Sequence, residues 1–191
     1  MNFATRSHED AQAHSNRQME ATGLFYCGLA LEQLARWHEA ADAYQKAMQL
    51  YADLALEPAL ADAQAGLARV ALVQNDWRTA QRWVEEILVN LPLDASTMND
   101  VTVGQDEPFL IYLTCHQLLR VTGDLRAEAL LKAGVEQLWR YADAIADDTL
   151  RTKFLEAVLS HRTLYQAQSV AIGLHVLNSV TKGDEMATAL N

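Results

Sequence analysis

Apolar residues recur at three- and four-residue steps along most of the chain, in segments that short polar breaks separate. In the first segment the recurring positions are Leu24, Cys27, Gly28 and Leu31. Residues at this spacing lie on one face of an α-helix, so each segment predicts an amphipathic helix. Breaks fall near residues 35–37, 57–58, 74–76, 90–108, 122–124 and 146–148. Helices joined by two or three residues must lie antiparallel and adjacent, so the pattern predicts helical hairpins in series.

The pattern divides the chain into six segments. Residues 1–20 are expected to be a polar N-terminal segment or a remnant helix, and residues 168–191 a C-terminal helix or tail. The tail is expected to pack back on the domain, pair between subunits or remain an amphipathic tail. Asp147 or Asp148 is expected to begin a final capping helix. The predicted units are hairpins 21–54, 61–94 and 107–145, with the cap at 147–167, in one helical domain at 21–167.

Composition supports the helical prediction, and charge disfavours some classes of partner. Half of the 191 residues are hydrophobic, while there are only three prolines and eight glycines, which disfavours turn-rich all-β folds. The net charge of -10 disfavours nucleic acid and anionic membrane surfaces as partners. No apolar run approaches the roughly 20 residues of a membrane span. Two cysteines without a CxxC motif, and no apolar signal segment, favour a reducing cytoplasm.

Small residues recur where the predicted helices must cross. Gly28 lies in mid-helix, where glycine costs about 1 kcal/mol relative to alanine, so a close helix crossing is expected there. Ala40, Ala80 and Ala127 occupy matching places in the second helix of each hairpin. Helices approach to about 8 Å only where the side chains at the crossing are small.

The small and bulky positions together resemble the tetratricopeptide repeat family. The motif of that family has bulk at positions 4 and 11, small residues at 7 and 8, Ala at 20 and 27, an aromatic at 24 and Pro at 32. Counted from Ala21, the first repeat supplies Leu24, Cys27, Gly28, Leu31, Ala40, Tyr44 and Ala47. Counted from Ala61, the second keeps Ala68, Ala80 and Pro92; counted from Pro108, the third keeps Ile111, Cys115, Leu118 and Ala127. The matching alanines are 40 and 47 residues apart, longer than the motif's period of about 34.

Three sequence segments extend the resemblance to the tetratricopeptide modules of one group of regulatory proteins. AGLARVALVQNDW, EPFLIYLTCHQLLRVTGD and LRTKFLEAVLSHRTL are similar to the C-terminal tetratricopeptide module of bacterial signalling ATPases, nucleotide cyclases and LuxR-like regulators. The resemblance implies an all-α right-handed superhelix of about three antiparallel hairpins closed by a C-terminal capping helix. The chain is then either a small adaptor that works in trans or a module of a longer protein.

The same resemblance implies a concave protein-binding groove lined by the first helix of each hairpin. The inward-facing positions of the family give a candidate groove of Phe25, Leu29, Gln33, Arg69, Phe109, Tyr112, His116 and Arg120. Each apolar member is equally compatible with a place in the core. The chaperone-tail clamp of some relatives needs Lys and Asn where this chain has Phe25 and Leu29. The expected ligand is therefore an apolar or amphipathic segment with one or two acidic groups.

No constellation of residues indicates catalysis, a metal site or a cofactor. His38, His161 and the pair Cys115 and His116 are isolated from one another along the chain, and the spacing of a zinc site is missing. The predicted function is a non-enzymatic scaffold that binds a partner peptide or helix, with self-association through the ends of the stack as a further expectation. The alternative is a sensor module that responds to an effector and regulates an ATPase, cyclase or transcription factor.

Overall fold

A computed structural model describes residues 3–91 and 104–167, with side chains from residue 12 onward. The described residues form helices and turns, without a strand. The predicted all-α class is therefore confirmed. The helices are α1 (Phe3–Gln33), α2 (Trp37–Asp53), α3 (Glu57–Val73), α4 (Trp77–Leu88), α5 (Pro108–Val121), α6 (Arg126–Asp143), α7 (Asp148–Glu156) and α8 (159–167).

Four helix ends close in the same way, with one residue in the left-handed conformation. These residues are Ala35, Ala55, Asn75 and Gly123, with φ between 54° and 71°. At each end the next backbone N–H bonds the carbonyl five residues back, as Asp76 does to Ala71 at 2.9 Å. This is the Schellman arrangement, which satisfies the last carbonyls of a helix and reverses the chain. The polar breaks at residues 35–37, 74–76 and 122–124 are therefore tight turns.

The helices pack mainly against their neighbours in the chain. Within the described residues α1 packs on α2, α3 on α4 and α5 on α6, so each short turn joins an antiparallel pair. The first helices of the pairs also meet, since α1 contacts α3 and α3 contacts α5. We call α1, α3 and α5 the first-helix layer. Their mutual contact places residues from three separate parts of the sequence on one surface.

Two hydrophobic clusters form the core. The first joins α1, α2 and α3 around Tyr44 and Tyr51, and the second runs from α3 to α8 around Tyr112 and Leu138. All four side chains are almost completely buried. Because α3 contributes to both clusters, it connects the N-terminal and C-terminal halves of the described chain.

Two helices begin earlier than the predicted hairpins do. Residues 3–20, which the sequence analysis set apart as a polar segment or a remnant helix, form the first part of α1. The helix α3 begins at Glu57, with a proline in its first turn, rather than at residue 61. Residues 92–103, including the end of the second predicted hairpin, and the tail at 168–191 lie outside the described residues.

The capping segment is two helices instead of one. Asp147 caps α7 as expected, because its carboxylate accepts the backbone N–H of Leu150 at 2.8 Å. The helix α7 ends at Glu156, and the Nδ1 atom of His161 lies 2.7 Å from the carbonyl oxygen of Phe154. In a continuous helix that carbonyl would accept the backbone N–H of residue 158. The ring of His161 also packs edge-on against Phe109 at 4.7 Å, which fixes α8 on α5.

Candidate functional site

The first-helix layer carries all eight predicted groove residues, but most of them do not form accessible surface. Phe25, Phe109 and Tyr112 are 4% exposed or less and belong to the core. Leu29 is half-buried against the same core. These side chains pack helices together, which is the core alternative that the sequence analysis left open for each apolar member.

The three basic residues of the predicted groove differ in burial and in hydrogen bonding. His116 is buried, and its Nδ1 atom lies 3.1 Å from the carbonyl oxygen of Ala127, to which it donates. Arg69 is paired inside the layer, as described below. Arg120 is exposed near the end of α5, and Gln33 is exposed at the end of α1. Only these last two present a polar head directly to solvent.

Tyr44 lies between α1 and α3 at a point where neither helix has a side chain. A Cβ added at Gly28 would lie 2.5 Å from the ring, and one added at Gly66 would lie 2.6 Å from it. Real Cβ atoms do not approach so closely, so both positions require glycine. At Gly28, where the sequence predicts a close helix crossing, the group that packs against the glycine is the ring of Tyr44 from α2. The ring lies between the two helices, and its hydroxyl reaches Glu32 beyond them.

At that far side the Tyr44 hydroxyl joins a network of charged groups. It donates to Oε1 of Glu32 at 2.6 Å. The guanidinium of Arg69 donates from Nε and Nη2 to the same carboxylate at 3.0 Å, and from Nη1 to Oγ1 of Thr114 at 3.2 Å. Thr114 in turn donates to the carbonyl oxygen of Leu110 at 2.7 Å. One arginine on α3 therefore binds α1, α2 and α5 together.

Burial makes this network electrostatically strong. The side chains of Arg69 and Glu32 are 15% and 10% exposed. Burial alone would lower the pKa of Arg69, but the nearby Glu32 carboxylate and the Tyr44 hydroxyl raise it. Burial has the opposite effect on a phenol: it raises the pKa of Tyr44, so the Tyr44 hydroxyl stays protonated and remains a hydrogen-bond donor. The ion pair with Glu32 neutralises the charge of Arg69 inside the protein, so Arg69 does not attract an acidic ligand.

A second buried carboxylate holds the start of α5 against α3. Asp62 is 1% exposed, and its two oxygens accept the backbone N–H groups of Asp106 and Glu107 at 2.8 and 2.9 Å. Burial raises the pKa of Asp62 to about 7, although the two backbone N–H groups act to lower it. The hydroxyl of Tyr51 donates to the Asp106 carboxylate at 3.3 Å. Three acidic residues thus meet at one junction.

Beside this junction α1 presents an exposed apolar surface. Met19 is 70% exposed and Tyr26 is 45% exposed. With Ser15, Gln18, Thr22 and Gly23 they line an open depression of about 550 Å³. We call these six residues the Tyr26 patch. The Tyr51 hydroxyl lies 3.3 Å from the Asp106 carboxylate and 3.4 Å from Oγ1 of Thr22, so Asp106 is close to the patch. Burial raises the pKa of Tyr26, and the carboxylates of Asp106, Glu107 and Asp62 raise it further.

The sequence analysis did not identify the Tyr26 patch. It assigned Phe25 to the groove, and the next residue along a helix points about 100° away. Both positions carry an aromatic residue, so periodicity alone does not say which one faces solvent. Asp106 and Glu107 were assigned to a connection, and their contact with Asp62 spans 44 and 45 residues of sequence. Long-range contacts of this kind leave no local signal.

No group of three His, Cys, Asp or Glu side chains that could hold a metal ion occurs in residues 12–91 and 104–167. Cys27 is exposed, whereas Cys115 is buried, and burial raises the pKa of Cys115 to about 12. A thiol with so high a pKa is a poor nucleophile. Across the described helices, none has the length and apolar character needed to cross a membrane.

No family model, no curated protein and no solved structure matches this chain. The relationship to tetratricopeptide repeats therefore stays a prediction from the residues.

Proposed function

We propose that the chain is a non-enzymatic protein-interaction module with a superhelical tetratricopeptide-like fold, and that its first-helix layer binds a segment of a partner. The contacts of α1 with α3, and of α3 with α5, support this arrangement, because first helices line the binding surface in such folds. The network around Arg69 supports it as well, since it fixes the three helices relative to one another before a ligand arrives. A rigid surface loses little conformational entropy on binding.

The observation that carries the proposal is the Tyr26 patch. Met19 and Tyr26 are large apolar side chains that lie together at an open depression of about 550 Å³. Contiguous exposed apolar surface typically marks an interaction site, and aromatic residues are common anchors at interfaces. Tyr26 combines an apolar ring with a hydroxyl that remains protonated at neutral pH, so it can pack and donate at once.

Charge decides the class of partner. Asp106 lies close to Thr22 of the patch, because both contact the Tyr51 hydroxyl, whereas Arg69 is neutralised by Glu32 and His116 is buried. The surface therefore favours a segment that pairs an apolar anchor with Lys or Arg. This differs from the acidic ligand expected from the sequence, because that expectation counted Arg69 and His116 as accessible. The net charge of -10 acts in the same direction over longer distances.

A peptide selection tests the proposal. Phage display of random peptides on the immobilised full chain should enrich sequences that combine Leu, Phe or Trp with Lys or Arg. The enriched peptide, synthesised with a fluorophore, should bind Tyr26→Ala at least tenfold more weakly in fluorescence anisotropy. Binding to Asp106→Asn should be weaker too, and should respond less to added salt, because one charge pair has been removed.

Trp77→Ala is the matched control, since Trp77 is an aromatic residue on a different surface with 44% exposure. Its affinity for the peptide should equal that of the unmodified chain. Circular dichroism must show the same helicity for all three variants. Enrichment of acidic peptides, or equal affinity of Tyr26→Ala and the unmodified chain, would contradict the proposal.

A further inference from the structure

The outer face of α1 carries an apolar stripe that stays exposed in the part of the chain that the structure describes. Met19, Tyr26 and Leu34 are large and apolar, yet they are 70%, 45% and 65% exposed. Three small exposed residues complete the face at three- and four-residue steps. We call these six residues the α1 stripe: Ser15, Met19, Gly23, Tyr26, Ala30 and Leu34. Four of them line the Tyr26 patch, and the stripe continues to Leu34, whose backbone N–H still bonds the Ala30 carbonyl.

Gly23, in the middle of the stripe, differs from the other helical glycines that the structure describes. At each of the others a tyrosine ring lies 2.5 to 2.9 Å from the place of a Cβ atom; these are Gly28, Gly66 and Gly134. At Gly23 nothing lies within 4 Å of that place. Glycine within a helix costs about 1 kcal/mol relative to alanine. An open glycine on an exposed apolar face therefore indicates that a ring from another chain packs there.

A second copy of α1, running antiparallel, would supply that ring. The register is fixed when Tyr26 of each copy faces Gly23 of the other. In this one register every bulky residue of the stripe faces a small one; the pairs are Tyr26 with Gly23, Met19 with Ala30, and Leu34 with Ser15. A shift of one helical turn in either direction sets Met19 against Tyr26 or against Leu34. The stripe is thus complementary to itself, as a two-fold interface requires.

The charge of the stripe also favours a second copy. None of its six residues is charged, and the nearby charges of Arg17 and Glu32 are paired with Asp53 and Arg69. Glu20 points about 60° away from Gly23 around the helix, toward the rim of the face. Each copy carries a net charge of -10, so two copies can approach only through an uncharged surface.

We infer that the α1 stripe joins two copies of this chain through an antiparallel pair of α1 helices. Residues 15–34 span about 30 Å at the helical rise of 1.5 Å per residue, and one helix pair of that length buries less than the roughly 1,200 Å² of a stable interface. The dimer is therefore reversible and depends on concentration. It covers the Tyr26 patch, so a second copy and the partner segment proposed above bind in competition. The inference does not rest on that partner, because the chain alone is sufficient to test it.

Sedimentation equilibrium of the full chain at micromolar concentrations tests the inference. The mass should rise reversibly from 21.3 kDa toward twice that value. Gly23→Leu should weaken the dimer at least tenfold, because its side chain takes the space of the Tyr26 ring, although it adds exposed apolar surface. Tyr26→Ala should also weaken the dimer. The double variant exchanges the bulky and the small partner, so it should associate more tightly than either single variant.

Ala129→Leu is the matched control, because it adds the same side chain at an exposed position of α6 and should leave the dimer unchanged. Salt separates a second copy from a basic partner. Added NaCl screens the repulsion between two chains of charge -10 and should strengthen the dimer, whereas it weakens binding of a basic segment. A mass that stays at 21.3 kDa up to millimolar concentration, equal association of Gly23→Leu and the unmodified chain, or a double variant weaker than both singles would overturn the inference.

Discussion

Replacing Arg69 by Met tests whether the buried network holds the first-helix layer together. Met keeps the length of the aliphatic stem but removes every donor of the guanidinium. The change leaves the Glu32 carboxylate, which is 10% exposed, with the Tyr44 hydroxyl but without its counter-charge. It also removes the bond to Thr114 on α5.

The size of the effect follows from burial. Breaking a buried ion pair by removing one partner costs about 3 to 5 kcal/mol, because the remaining charge is not compensated. Both partners retain some exposure, so the lower end, about 3 kcal/mol, applies. For a chain of this length that loss lowers the melting temperature by about 6 to 12 °C. Glu32→Leu should cost a similar amount, because it leaves the guanidinium of Arg69 unpaired.

A double-mutant cycle isolates the interaction. Urea unfolding followed by circular dichroism gives the free energy of unfolding for both single variants and for the double variant. The double variant should cost about 3 kcal/mol less than the sum of the singles, since no unpaired charge remains. Arg17→Met is the control, because the ion pair of Arg17 with Asp53 is solvent-exposed and its loss should leave the midpoint unchanged. Costs that add within about 0.5 kcal/mol would refute the reasoning.

Three further predictions concern glycine, a buried hydroxyl and pH. Gly66→Ala should destabilise by about 1 to 3 kcal/mol in urea unfolding, because its Cβ meets the Tyr44 ring at 2.6 Å, whereas Gly23→Ala in open space should stabilise. Tyr112→Phe should raise the melting temperature, since the buried Tyr112 hydroxyl has no partner in the structure; a lower melting temperature would show that the hydroxyl is satisfied. Burial raises the pKa of Asp62 to about 7, so its protonation stabilises the fold at pH below about 4, and this contribution is lost as the pH rises to about 7. Urea midpoints of the unmodified chain and Asp62→Asn between these pH values should therefore converge or cross, and a constant difference would contradict the assignment.

Local pattern was sufficient to predict the helices and their turns. Three- and four-residue spacing gave the amphipathic segments, and the polar breaks at 35–37, 74–76 and 122–124 are the left-handed turns of the structure. The glycine in mid-helix at Gly28 led us to expect a close helix crossing, and the atoms nearest to it belong to the Tyr44 ring. These features depend on residues that are near one another in the sequence, so they can be predicted from the sequence. The superhelical arrangement and the scaffold or sensor role remain predictions.

Long-range pairing was not predictable in the same way. Arg69 was placed in the groove, but nothing in its spacing from Glu32 shows that the two residues neutralise each other. Phe25 and Tyr112 are apolar positions that fit a groove or a core equally well in the sequence, and the structure buries both. The division of the capping segment depends on the bond between His161 and Phe154, which helical periodicity does not encode.

The Arg69 network also bears on how the protein unfolds. Most contacts in this chain join neighbouring helices, and arrays of that kind tend to fray from their ends in steps. Arg69 instead bonds partners 37 and 45 residues away, on either side of its own hairpin. Loss of the C-terminal hairpin therefore weakens the N-terminal one through shared bonds. We therefore expect the bonds of Arg69 to make unfolding more cooperative, with similar hydrogen-exchange protection in the parts of α1, α3 and α5 that they connect.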